Sequence, residues 1–236
     1  MIGAPHPEPG RILTEIRDAA VDYVEHGWPV QPGSYQVHGS RHWHGSAHAD
    51  GLEPITQPWS GAGIADAEVA LEVWTRRPYS ILMACGPVVD ALEIPAVLGA
   101  RLEQSLRAAD CLPPTIVSPF GTWLLLTSPG QPVRLELAQQ PGIGIRRTGS
   151  WTALPPTTHG HLPYRWRTHP RAVGWSVPSA RGVQQVLAEA VTPGQVRVIS
   201  WSGQRAAAPS QPLALSREIL QIDQPAPSSN PTLPAN

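Results

Sequence analysis

The chain has 236 residues, 41% hydrophobic and 15% charged, with a formal net charge of -1. That length suffices for one good-sized domain with a packed core. The near-zero charge excludes a global basic field of the kind that holds nucleic acid by electrostatics alone. No lysine occurs, so any phosphate contact has to come from arginine, histidine or backbone amides. Cys85 and Cys111 stand in no metal-binding spacing, which argues against a zinc motif or a disulfide framework and for a reducing, cytoplasmic setting. The start of the chain lacks a basic segment followed by an apolar one. No apolar run approaches the ~20 residues of a membrane span, so neither a signal peptide nor a membrane partner is expected.

Residues 1–10 are proline-rich and read as a flexible leader. Ile12, Ile16, Ala19 and Tyr23 recur at helical spacing, which predicts a helix over 11–26 that Gly27 stops. A short strand over 28–30 and a turn at Pro32-Gly33 should follow. Residues 33–63 read as a long polar loop rich in Gly, Ser and His. The spacing of His42, His44 and His48 within the His38–His48 loop would suit a metal if Asp50 joined them, against the plainer reading of a solvated loop. Asp66 is the expected N-cap of a helix to Arg76, with Ala67, Ala70, Leu71 and Trp74 on one face.

The stretch from Ile81 to Pro95 decides the functional question. It is an apolar run, a Gly86-Pro87 break, and a second apolar run carrying Asp90 and Glu93. Such runs read as buried strands, expected here over 79–85 and 88–94. Carboxylates on them are costly unless they hold a metal, meet a base or reach solvent. Pro95 should open the next helix, with Leu98, Leu102 and Ala109 on its buried side and its end near Asp110.

Beyond it, short strands are expected over 115–118, 122–127, 132–137, 143–147 and 151–154. The Pro-Gly and Ser-Gly turns between them favour hairpins and an antiparallel sheet. Residues 155–166 read as a rigid surface loop in which His159 and His161 are ordinary loop histidines. A last helix is expected over 180–191 and a last strand over 195–201. The Pro/Ser/Ala-rich stretch 206–236 has the composition of a disordered tail. The resulting fold class is α+β, a mainly antiparallel sheet with flanking helices over residues 11–205.

The order of landmarks resembles the N-terminal (prim-pol) domain of bifunctional DNA primase/polymerases, in the archaeo-eukaryotic primase superfamily. The resemblance rests on Ala20, Tyr23, Gly27, Trp28, Val30 and Pro32, then Trp74 and Pro78, then the two runs to Gly86 and to Glu93. It continues through Gly142 to Arg146, Gly149, Leu154 to Thr157, Gly160, Tyr164 and Trp166. It covers roughly residues 11–170, and similar chains are common in actinobacteria, which suits the arginine-only composition.

The resemblance implies nucleotidyl transfer with two divalent ions, Mg²⁺ or Mn²⁺, held by carboxylates. It implies two acids two residues apart on one strand, a third acid on a later strand and a histidine beside the phosphates. In this sequence Asp90 stands at the first position, Leu92 at the second, Gly144 at the third and Trp123 at the histidine. Glu93, three residues from Asp90, faces the other side of a regular strand unless a bulge turns it.

The leading expectation is therefore a catalytically inactive domain of this family with no cofactor, Asp90 and Glu93 being the remnant of a catalytic and metal site. Binding of nucleotide or single-stranded nucleic acid would fall to Arg146, Arg147, Tyr164 and Arg165, with Trp123, Trp151 and Trp166 as further stacking candidates. The core reading is preferred for Trp28, Trp74 and Trp151. The alternatives are an active Mg²⁺- or Mn²⁺-dependent primase/polymerase using Asp90 and Glu93, and an interaction scaffold without a nucleotide pocket. Expected partners are DNA or nucleotides and a separately encoded helicase or replication protein.

Overall fold

A computed structural model describes residues 9–37, 40, 42–46, 49–55 and 63–191. His38, His48, the strand expected over 195–201 and the tail lie outside the described residues, as does nearly all of the leader. The first half contains α1 (Pro9–Glu25), β1 (Gln31–Gly33), β2 (Tyr35–Gln36), β3 (Trp43–His44), α2 (Ala67–Arg76), β4 (Ser80–Ala84), β5 (Asp90–Pro95) and α3 (Ala96–Ala108). The second half contains β6 (Thr115–Val117), β7 (Thr122–Thr127), α4 (Leu135–Ala138), β8 (Gly144–Arg146), β9 (Trp151–Leu154), β10 (Thr158–His159), β11 (Leu162–Pro163), β12 (Arg165–Thr168) and α5 (Ala180–Ala190). Among the described residues no helix is long and apolar enough to cross a membrane.

The fold is α+β, and every strand pairing is antiparallel. A five-stranded sheet runs β12-β6-β7-β5-β8 and a three-stranded sheet runs β1-β4-β9, with β2-β3 and β10-β11 as separate pairs. Because strand side chains alternate between faces, consecutive residues of β5 and β7 enter different cores. Ala91, Leu124 and Leu126 join Ile116 in a first core with α1, α2, β4 and β9. Leu92, Ile94, Trp123 and Leu125 join Leu98, Leu102, Leu106, Val183 and Leu187 in a second core with α3 and α5. The two strands of the Ile81 to Pro95 stretch thus belong to different sheets, with Gly86 at φ +107° in the turn between them.

Local chemistry explains most elements. Asp66 caps α2 by accepting from the amides of Glu68 at 2.9 Å and Val69 at 3.0 Å. Trp74 is fully buried and donates its indole N–H to the Tyr79 carbonyl at 2.9 Å. Trp28 is buried as well, and Trp151 packs half-buried against the first core. Gly99 lets α3 lie on the indole of Trp123, since a Cβ there would come within 2.3 Å of it.

Several expectations are corrected. Pro32 and Gly33 are strand residues rather than a turn, which Pro32 can be because β1 is an edge strand. The 33–63 segment holds the short β2-β3 pair. Pro95 ends β5 and caps α3 instead of beginning it, and Leu106, not Ala109, completes the buried face of α3. The 132–137 segment contains the one-turn helix α4, not a strand. Its backbone is taken by α5: the Arg134 amide donates to Gln184 Oε1 at 2.7 Å and Gln184 Nε2 donates to the Pro132 carbonyl at 3.0 Å. The 155–166 segment is not a surface loop: it supplies β10, β11 and the first residues of β12 and buries Thr157 and Tyr164. Thr157 exchanges hydrogen bonds with the backbone of Ile81, which holds that segment to β4.

Candidate functional site

Asp90 and Glu93 sit on opposite faces of β5. The strand runs in unbroken register from Asp90 opposite Thr127 to Pro95 opposite Thr122, so no bulge turns either acid. Asp90 shares its face with Leu92 and Ile94, which lie in the second core; Glu93 shares its face with Ala91, which lies in the first. The two carboxylates therefore do not converge on one ion.

Glu93 carries the more elaborate surroundings. Its Oε2 accepts from Arg146 Nε at 3.1 Å and Nη2 at 2.9 Å, and its Oε1 accepts from the Thr122 hydroxyl at 3.0 Å. The ion pair is partly buried, with side-chain exposures of 23% for Arg146 and 29% for Glu93. Arg146 Nη1 also donates to the Trp151 carbonyl of β9 at 3.3 Å, so the guanidinium links β5 and β8 to the three-stranded sheet. These bonds use three of the five guanidinium N–H groups. Gly144 stands directly opposite Glu93 in β8 and brings no side chain to this face.

Tyr164 lies within electrostatic reach of the pair. Burial pushes its hydroxyl up to about 12, Arg146 pulls it down and Glu93 pushes it up again. Cys85, at the end of β4, is likewise pushed up to about 12, mainly by burial, with Arg146 acting in the opposite sense. Both groups are neutral near pH 7 and add no charge beside the Glu93–Arg146 pair.

The other expected binders are scattered. Tyr164 is buried and presents no open ring face. Arg165 is exposed on the edge strand β12. Arg147 reaches back over the second core, where its Nη2 donates to the Gln131 carbonyl at 3.0 Å. Trp123 is buried against α3 with the Arg167 guanidinium 5.7 Å from its ring, away from Glu93. Trp166 packs on the first core and donates its indole N–H to the Tyr23 hydroxyl at 3.0 Å. His42 and His44 are exposed, and among the described residues no group of three or more His, Cys, Asp or Glu is placed to hold a metal.

Two features escape the sequence. Thr122 bonds Glu93 diagonally across the β5-β7 pairing, a contact set by register alone. Phe120, 42% exposed in the β6-β7 turn, lies edge-on to His159 with ring centres 5.1 Å apart, and His159 in turn meets Trp43 at 5.2 Å. Burial holds the His159 imidazole below its ordinary pKa, so this row is aromatic and uncharged near neutrality.

The N-terminal family of bifunctional DNA primase/polymerases matches residues 20–181, more than half of the chain. No curated protein matches it. The matched span begins within α1, includes both sheets and the Glu93–Arg146 pair, and ends in α5, so the chain belongs to the bifunctional DNA primase/polymerase N-terminal family.

Proposed function

We propose that this primase/polymerase-family domain no longer performs metal-dependent nucleotidyl transfer and instead binds nucleotide or single-stranded nucleic acid weakly at the Glu93–Arg146 face. The observation that carries this reading is the state of Glu93, whose Oε2 accepts twice from Arg146 and whose Oε1 accepts from Thr122. Two divalent ions need several carboxylate oxygens free to coordinate them. On the Glu93 face the position two residues earlier is Ala91, and the residue directly opposite is Gly144. Because Gly144 stands on the Glu93 face, we take Glu93, rather than Asp90, as the acid of that site, with Ala91 and Gly144 at its other two positions.

Binding draws on what remains. The Arg146 guanidinium keeps two N–H groups beyond its bonds to Glu93 and Trp151, enough to meet a phosphate oxygen. Phe120, two residues from the Thr122 that bonds Glu93, offers an exposed ring for stacking. The setting is cytoplasmic, and a separately encoded helicase or replication protein would supply what the domain lacks.

Primer extension with Mn²⁺ and all four deoxynucleotides tests the catalytic half. No product above background is expected, and Asp90→Ala changes nothing; robust extension abolished by Glu93→Gln would overturn the reading. The binding half is tested by titrating a labelled oligo-dT or nucleotide at low salt, with Arg146→Ala expected to weaken a saturable signal. A chain that binds neither ligand is an interaction scaffold.

A further inference from the structure

Asp90 lies on the opposite face of β5 from Glu93, and its surroundings show a different use. It is 1% exposed, and its Oδ2 accepts from the Gly130 amide at 2.9 Å, but its Oδ1 is buried with no protein partner. The hydroxyl of Thr127 and the Nε of Arg147 are also buried without a partner. Their residues stand at the same end of the adjacent strands β5, β7 and β8. Thr127 is directly opposite Asp90 on β7, and Arg147 directly follows β8, whose last pairing sets Arg146 opposite Ala91. Asp90 and Arg147 also reach consecutive residues of one loop, Gly130 and Gln131.

Neighbouring strands lie about 4.8 Å apart, so side chains at the same end of them lean close together without their polar atoms meeting. No ion pair joins Asp90 and Arg147. Leaving a carboxylate oxygen, a hydroxyl and a guanidinium N–H buried and unbonded is costly. Buried waters typically make about three hydrogen bonds to such groups.

We propose that Asp90 Oδ1, Thr127 Oγ1 and Arg147 Nε form an internal site for one water molecule beneath the 128–133 loop. The donor set selects the ligand. Water donates to Asp90, accepts from Arg147 and does either with Thr127. An anion is repelled by Asp90 and a metal cation by Arg147. The water ties β5, β7 and β8 to the loop, and it gives Asp90 and Arg147 a structural role apart from the nucleotide-binding face.

A crystal structure of the full chain at about 1.5 Å tests this directly. One peak within about 2.7–3.2 Å of all three atoms is expected. A direct Asp90–Arg147 contact, a dry gap, or a peak about 2.3–2.6 Å from Asp90 Oδ1, the distance of a metal ion, overturns it. In solution, Thr127→Val and Arg147→Met are each expected to lower the folding equilibrium constant about tenfold. The double substitution should cost clearly less than the product, because the first already removes the shared water. Strictly multiplicative costs, or no cost from either, also overturn the site. Asp90→Asn keeps an acceptor and should cost less than Asp90→Leu; should either fail to fold, the Thr127–Arg147 cycle still decides.

Discussion

Arg146 and Glu93 form a partly buried pair whose value depends on what is left behind when one partner goes. Exposed ion pairs contribute little, but removing one member of a desolvated pair leaves an uncompensated charge. Arg146→Met leaves the Glu93 carboxylate with only the Thr122 hydroxyl and deprives the Trp151 carbonyl of a donor. It is expected to destabilise the fold by about 1–3 kcal/mol, read as a lower urea midpoint at unchanged slope. Glu93→Gln leaves the Arg146 charge without its counter-ion but keeps an amide oxygen that accepts from it, so it should cost less. Should Glu93→Gln prove the worse of the two, Arg146 rather than Glu93 is the more costly charge to leave unpaired. The experiment also guards the binding result, because an Arg146 variant that unfolds would mimic a lost phosphate contact.

At the scale of elements, α3 and β7 are matched through one glycine. A Cβ on Gly99 would lie 2.3 Å from Trp123 Cε3 and 2.6 Å from Cδ2, atoms of a rigid ring that is itself 8% exposed. Overpacking of this kind usually costs about 1–3 kcal/mol, and Gly99→Ala should do so despite the better helix propensity of alanine. A melting temperature equal to or above that of the parent chain would show that α3 can slide away from the sheet. Nothing in the sequence signals this contact, whereas β7 and β9 match the expected ranges 122–127 and 151–154. Those strands are apolar runs cut short on both sides by turn residues, so local chemistry bounds them. The capping by Asp66 is local in the same sense. The 132–137 segment alternates like a strand, yet its backbone partner is Gln184, about fifty residues on, and tertiary bonding overrides the pattern. The site divides likewise. That Asp90 and Glu93 face opposite ways follows from a period of two, but which of them meets Arg146 depends on the β5-β8 register, a non-local choice.

For the molecule as a whole, the five-stranded sheet separates two cores that differ in chemistry. The first holds Tyr23 and Tyr164 and the Cys85 thiol, all with pKa values raised chiefly by burial. In the second, the Cys111 thiol is raised less, with burial first and Asp110 next. A weak acid whose folded pKa exceeds its unfolded one keeps its proton longer in the folded state. Between the two values the folded chain binds more protons than the unfolded chain, so stability falls as pH rises. For Cys85 the window runs from 9.0 to about 12, and for Tyr164 from 10.0 to about 12. Their contribution is complete below pH 9 and shrinks through that window. The melting temperature should accordingly fall steeply above about pH 9, and Tyr164→Phe, which removes one of the titrations, should make the fall shallower. Folded Cys85 should also resist a thiol reagent at pH 8 while Cys111 reacts, since only a thiolate at an accessible site attacks. Equal labelling of both cysteines, or a melting temperature flat to pH 11, would mean that water already reaches the space between the sheets. The Glu93–Arg146 pair, partly buried as it stands, would then be screened like an exposed one.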